Sequence, residues 1–541
     1  MKELSPKTHF LLLALLTVFL VLNPFYLHQQ VNLFELGLYL PGIDGILHGA
    51  VPFRDFFYLR GPFELYVPAF LMKIFGEHVA VLSTYFYIGT VLTLLMAVLI
   101  AGELFETRIF WWIFTPLLVA RTFPRVVFTY WGGLRYAWGL LAVYCAIYFL
   151  KTKNKNWLMA AGIVTAIGGL TSIEIGVSSG VAIVIAVVAE GIYIKNISNS
   201  LKSLGTFTAA ALAVVLPYLG YLYVQGALAT MMETIIQVTL QMTKVFIMVP
   251  RPPSNAREVM MALFDPHNPN FRHLTPAYCF MVFLIYIVWR VRRKKISSLD
   301  WAALAVAVYA FMIYATSFRN IWASVFEMSL QPEKIVLFFL LERAYLSFKK
   351  RNLEYFSRTV IVAVAASSLV FSFSHMSKRF FTLQCLGRMI PHNKHKKTAE
   401  SQFTVALNMQ RIKGMVVPAW QAEDFMTLKA FLDEHTRGNE PVLMFAELGA
   451  LNFIVERPYV GRFATTSLSW LKDSWYRQMM EDIERAHTHY AITNKTFPEY
   501  FQSSYFLVED NKKKFDELFS YIKNNYTVVA QTPSYNIYER K

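Results

Sequence analysis

Apolar runs long enough to cross a bilayer recur along the first 376 residues of this 541-residue chain, and no other feature restricts the possible folds so tightly. They lie at residues 10–27 and at about 79–101, 109–122, 136–150, 157–172, 175–194, 204–224, 275–291, 299–317, 333–347 and 359–376. Hydrocarbon offers the backbone no hydrogen-bond partners, so such segments must be helices. The expected fold class is a polytopic α-helical membrane protein with about 11 spans. The run 10–27 follows Lys2 and Lys7 but is long for a signal-peptide core and ends in "NPFYL" without a small-residue cleavage site. It therefore reads as a retained anchor.

Charge decides the orientation. The formal net charge is +16, yet the cations sit in short clusters between apolar runs, which is the pattern of the positive-inside rule and not of a nucleic-acid-binding face. With a cytoplasmic N-terminus, "KTKNKN" (151–156), "KNISNSLKS" (195–203), "RVRRKKISS" (290–298) and "KKRN" (349–352) all fall on the cytoplasmic side. In the tenth span Glu342 and Arg343 interrupt the apolar run, close enough to its cytoplasmic end to snorkel. Three segments become external: residues 28–78, residues 225–274, and the polar tail from about 377. The expected organisation is a transmembrane module at 1–376, a basic connector at 377–420 and an extracytoplasmic α/β domain at 421–541. In that last part helix-period segments alternate with strand-like ones, "PVLMFAE", "HYAIT", "TVVAQT" and "YNIYER". Cys145, Cys279 and Cys385 imply no disulfide framework or metal-ligand spacing, and no phosphate-binding glycine motif occurs.

The first external segment carries the most chemistry. It divides at "GAVPFRD" into two helical stretches, the first weakened by Pro41-Gly42, the second opened by Gly61-Pro62 and stopped by Gly76. Glu35, Asp44, Arg54, Asp55 and Arg60 lie within 26 residues directly after the anchor. Taken singly, Glu35 and Asp44 fit helix caps, Arg54 with Asp55 a loop ion pair, and Arg60 a lipid-phosphate contact. As a set they suit transfer of a sugar from a polyprenyl phosphate. That reaction needs a carboxylate to take the acceptor proton and a cation to stabilise the departing phosphate, and no general acid.

The run "ELGLYLPGIDGILHGAVPFRDFFYLRGPFELYVPAFLMKIFGEH" resembles the opening of the bacterial membrane glycosyltransferases of the GT-C superfamily, family 39/83-like, related to protein mannosyltransferases and aminoarabinose transferase. In that group an acidic residue opens the first periplasmic helix, a "G-x-P-Y-x-D-F" stretch follows, and a proline turn leads into a helix ending in "F-G". Glu35, the stretch Gly49 to Phe56, Gly61-Pro62 and Phe75-Gly76 match it. "TSIEIGVSSG", "SFRNIWASVFEMSLQPEKIVLF" and the tail around "LNFIVERP" resemble later parts of the same group, in the same order. Two departures stand out: Phe34 precedes Glu35 where a second acid is common, and Arg60 stands where the aminoarabinose branch has a lysine. The resemblance implies a base chosen among Glu35, Asp55 and Asp44, in that order, and donor-phosphate contacts from Arg60, Arg54 and Arg319.

Glu174, in a short external turn, either faces the same cavity or caps the sixth span; Arg135, beside Tyr130 and Trp131, either binds phosphate or anchors at the interface. The carboxylates admit a divalent cation such as Mg or Mn, although no ligand spacing fixes one and no metal-ligating residues are assigned. The expected protein is a multi-pass enzyme of the bacterial inner membrane, with a periplasmic C-terminal domain. It would act on a polyprenyl-phosphate-linked sugar and a lipid, glycan or protein acceptor, among membrane lipids and without nucleic acid. A lipid or polysaccharide transporter or flippase would bury ionisable residues in mid-span. A non-catalytic scaffold for envelope assembly would only dock the loop on headgroups.

Overall fold

The computed structural model describes residues 5–22, 24–126, 133–241, 245–247, 251–265, 267–317, 329–349, 404–406, 408–446, 448–496 and 501–541. Side chains are described throughout these except at 120–126, 241, 272, 317, 348–349 and 404. Compactness divides the chain into two units that do not follow its linear order. One comprises residues 1–23, 86–217 and 252–394; the other comprises 24–85, 218–251 and 395–541.

The first unit is helical. Helices occupy Pro6–Val21, Val79–Leu104 (shared with the other unit), Arg108–Val126, Arg135–Thr152, Lys155–Thr171, Ile173–Tyr193, Ile197–Val224 (also shared), Pro276–Arg292, Ser298–Ser317 and Gln331–Lys349. Each coincides with an expected span, while the run 359–376 lies outside the described residues. Among the described residues four helices are long and apolar enough to cross a membrane by length and composition: Val79–Leu104, Ile173–Tyr193, Ile197–Val224 and Ser298–Thr316. Glycine permits the closest backbone approaches. A Cβ on Gly89 would lie 2.3 Å from the carbonyl of Gly133, and one on Gly176 would lie 2.5 Å from the Cα of Gly169.

Acids at the helix ends are satisfied by fixed partners. Glu342 is fully buried and accepts from the backbone N–H of Glu106 (3.1 Å) and Thr107 (2.5 Å) and from the Thr107 hydroxyl. Arg343 pairs with Glu106 at 2.7 Å and lies over Phe339. The polar pair expected to snorkel thus holds the turn before Arg108–Val126, and Gln331–Lys349 continues through it as one helix.

The second unit is built on a four-stranded sheet in the order β3-β4-β6-β5, where β3 is Leu443–Phe445, β4 Tyr490–Asn494, β5 Tyr526–Gln531 and β6 Tyr535–Arg540. β3 and β4 run parallel and the other pairings are antiparallel. A two-stranded ribbon joins β1 (Thr404–Ala406) to β2 (Val416–Pro418). The four strand-like segments of the tail are these four sheet strands, and helices Ala419–His435, Asp473–Ala486 and Glu509–Asn525 fill the intervals. The core of this unit also takes Phe34 and Phe57 from the first loop and Val238 and Val245 from the long one. Gln421 clamps the loop by accepting from Val31 N–H (2.8 Å) and donating to Val31 C=O (2.9 Å), and Phe57 N–H bonds Arg462 C=O (3.0 Å).

Candidate active site

The first loop folds as three short helices, Leu33–Gly37, Leu40–Leu47 and Phe63–Phe75. Pro41, expected to weaken one helix, instead sits in the first turn of Leu40–Leu47, where its missing N–H costs nothing. Gly76 ends Phe63–Phe75 with φ of 102°, a conformation that favours glycine.

Glu35 lies in the first turn of Leu33–Gly37 and is half-buried. The cap is Asn32, whose side-chain oxygen accepts from Glu35 N–H at 3.0 Å, so the turn is closed without the Glu35 carboxylate. Phe34, its neighbour, packs against Trp470, Phe501 and Tyr505, with ring centroids 6.4, 5.7 and 5.8 Å away. A second acid there would be placed in an aromatic core, which is the physical reason the position is apolar.

Asp55 staples a tight turn. One oxygen accepts from Val51 N–H at 2.7 Å, and Arg54 forks onto both oxygens at 2.8 Å. That Arg54 hydrogen bond, followed by those from the backbone, holds the Asp55 carboxyl below its usual range despite some desolvation. Arg54 also donates to the Gln225 carbonyl (3.3 Å) and side chain (3.2 Å). Phe53, at φ of 70°, is held by burial against Leu222, Ala227 and Met231.

Asp44 belongs to a different group. It faces Arg411 at 3.8 Å and His48 at 3.7 Å. Arg411 also pairs with Glu77 and, at 3.7 Å, with Glu456, and its guanidinium lies 4.6 Å from the Phe453 ring centre. Burial pushes the Asp44 carboxyl up, against the pull of Arg411 and His48. Tyr459, raised mainly by burial and further by the charges of Asp44 and Asp55, lies near both acids.

Arg60 is at the centre of a third group. It donates to the Tyr39 hydroxyl at 2.5 Å and to both oxygens of Glu64 at 3.3 Å. Glu64 is fully buried and accepts from the Tyr58 hydroxyl at 2.7 Å. Burial and the Glu64 charge push the Tyr58 hydroxyl well up, so the phenol stays a donor. Sequence reasoning missed Glu64, although its spacing of four from Arg60, across the entry to the helix Phe63–Phe75, was the available signal. It also missed Arg411, 367 residues from Asp44 by position, for which no local pattern exists.

In the helical unit Arg135, 3% exposed, pairs with Glu174 at 3.3 Å and stacks on Tyr136 at 4.7 Å. These two candidates are therefore brought together. Arg319 lies outside the described residues. Among the described residues no group of three or more His, Cys, Asp or Glu side chains could hold a metal ion.

No family profile matches the sequence, and no curated protein matches it. Solved structures do match. ArnT from Cupriavidus metallidurans bound to undecaprenyl phosphate aligns at 11% identity and a TM-score of 0.53, covering 98% of this chain and 97% of that one. The same protein in the apo state gives 11%, 0.52, 98% and 97%. The oligosaccharyltransferase AglB from Archaeoglobus fulgidus, in complex with an inhibitory peptide and a dolichol-phosphate, aligns at 11% identity and 0.47, over 90% of this chain and 69% of that one. The chain thus shares the fold of ArnT, mostly helical with several apolar helices, and carries a small sheet domain near its C-terminus.

Proposed function

We propose that this protein is a glycosyltransferase that moves a sugar from a polyprenyl-phosphate donor to a lipid, glycan or protein hydroxyl at the periplasmic face of the bacterial inner membrane. The N-terminus is then cytoplasmic and the C-terminal domain periplasmic. The observation that carries the reading is the placement of Arg60, fixed by Tyr39 and the buried Glu64, in the first loop of a fold shared with ArnT, which was captured on undecaprenyl phosphate.

In this reading Glu35 takes the proton of the acceptor hydroxyl as its oxygen attacks the anomeric carbon. The bond from that carbon to the phosphate oxygen breaks, and the electron pair leaves on the lipid phosphate, whose charge Arg60 meets. Attack opposite the leaving group inverts the anomeric centre. Asp55 is assigned to shaping the loop, because both its oxygens are already occupied by Val51 and Arg54. Asp44 is assigned to the Arg411 group. Arg54 is turned towards Asp55 and Gln225, so its contact with phosphate is the weaker assignment. Arg135 and Glu174 form a second candidate pair, and a divalent cation would need ligands beyond any single cluster described. The test is transfer from labelled polyprenyl-phosphate sugars, comparing wild type with Glu35→Gln; undiminished turnover in the variant removes Glu35 from the chemistry.

A further inference from the structure

Glu64 poses a problem that the proposed reaction does not explain. A fully buried carboxylate beside the phosphate-binding cation lowers the positive charge offered to an anionic donor, and isolated burial of such a group is costly. Its contacts are uneven. The Tyr58 hydroxyl is at a short 2.7 Å, whereas Arg60 reaches it only at 3.3 Å through Nη1, not in the parallel fork of a strong arginine–carboxylate pair. The Tyr39 hydroxyl takes the same nitrogen at 2.5 Å. Tyr39 and Tyr58 are themselves buried, with ring centres 6.3 Å apart, so the group is held from within the loop and does not depend on solvent.

We infer that Glu64 is a positioning residue that holds the Arg60 guanidinium in place and offsets part of its charge, so that the polyprenyl phosphate product is released and not retained. This rests on the proposed function, in which Arg60 meets the phosphate. Tyr58 moderates the carboxylate by donating to it, so the two residues act on phosphate affinity in opposite directions.

The measurement is the affinity of the full-length protein in nanodiscs for undecaprenyl phosphate, read alongside KM and kcat for transfer. Glu64→Gln keeps the shape and removes the charge; it should bind the lipid phosphate about tenfold more tightly and lower kcat and KM together as release becomes limiting. Tyr58→Phe leaves Glu64 with less of its charge dispersed and should bind it several-fold more weakly. A purely structural Glu64 gives the reverse for Glu64→Gln, because a loosened Arg60 binds less well. Equal or weaker binding by Glu64→Gln overturns the inference. If that variant does not fold, Tyr58→Phe decides, with unchanged or tighter binding overturning it. Wild type that binds no lipid phosphate removes the proposed function as well, whereas wild type that binds and a Glu64→Gln that binds no better removes the inference alone.

Discussion

The carboxylates of the helical unit and those of the first loop are partnered differently. In the helical unit strong fixed donors close three of them: Glu342 by two backbone N–H groups and a hydroxyl, Asp300 by Tyr286 (2.7 Å), Arg290 (3.0 Å) and Ser297 N–H (2.7 Å), Glu103 by Lys151 and Tyr148 at 2.7 Å each. In the loop Asp55 is closed in that way. Glu64, by contrast, has one short contact and two long ones, and the helix cap beside Glu35 is made by Asn32. A carboxylate saturated by rigid donors has no capacity left for a moving proton or a departing phosphate, so the comparison separates Asp55, which holds structure, from Glu64, whose contacts with Arg60 are long.

The sharpest way to break that distinction is Glu35→Gln. Loss of a general base costs on the order of 10³ in kcat, while the Asn32 cap on the Glu35 N–H survives the substitution. A fall in stability without a fall in turnover would move Glu35 into the structural class. Next in size is Phe34→Ala, which removes a ring from the aromatic cluster of Trp470, Phe501 and Tyr505 and should cost about 3 kcal/mol, read by urea or thermal unfolding followed through tryptophan fluorescence. Glu342→Gln, which leaves one of two accepting oxygens, should cost about 2 kcal/mol in the same measurement with no specific effect on the transfer reaction. A selective loss of turnover there would show that the saturated acids are not merely structural.

The helices of the membrane unit were legible because a long apolar run in hydrocarbon admits one backbone solution, and the sheet strands were legible from their β-branched and aromatic runs. The join between the first loop and the tail was not. Gln421 bonding Val31, Arg411 facing Asp44 and Phe34 entering the tail's core are contacts across some 370 to 470 positions of sequence, and no local periodicity reports them. The charges of the candidate site could be listed from the sequence, but their pairings could not. Asp44, Asp55 and Arg60 look alike in the sequence, yet each belongs to a separate cluster, and the partner that makes Arg60 distinctive, Glu64, reads in isolation as an ordinary first-turn acid.

The smallest effect separates two acids of the loop by the sign of their pH dependence. Asp55 is held below its usual range by Arg54, so its contribution to stability is present above the unfolded carboxyl pKa near 3.8 and is lost as pH falls through the lower folded value. Asp44 is pushed above that range by burial, so between 3.8 and its folded value the native state binds the extra proton and stability falls as pH rises. Asp55→Asn should therefore be less stable than wild type at neutral pH, the gap closing below 3.8. Asp44→Asn should match or exceed wild type at neutral pH if desolvation outweighs the pull of Arg411, with the difference shrinking as the solution is acidified. Unfolding of both variants from neutral pH down to about pH 3 checks the signs. Two curves of the same slope would mean that Arg411 governs Asp44 as firmly as Arg54 governs Asp55, and that the two acids belong to one class after all.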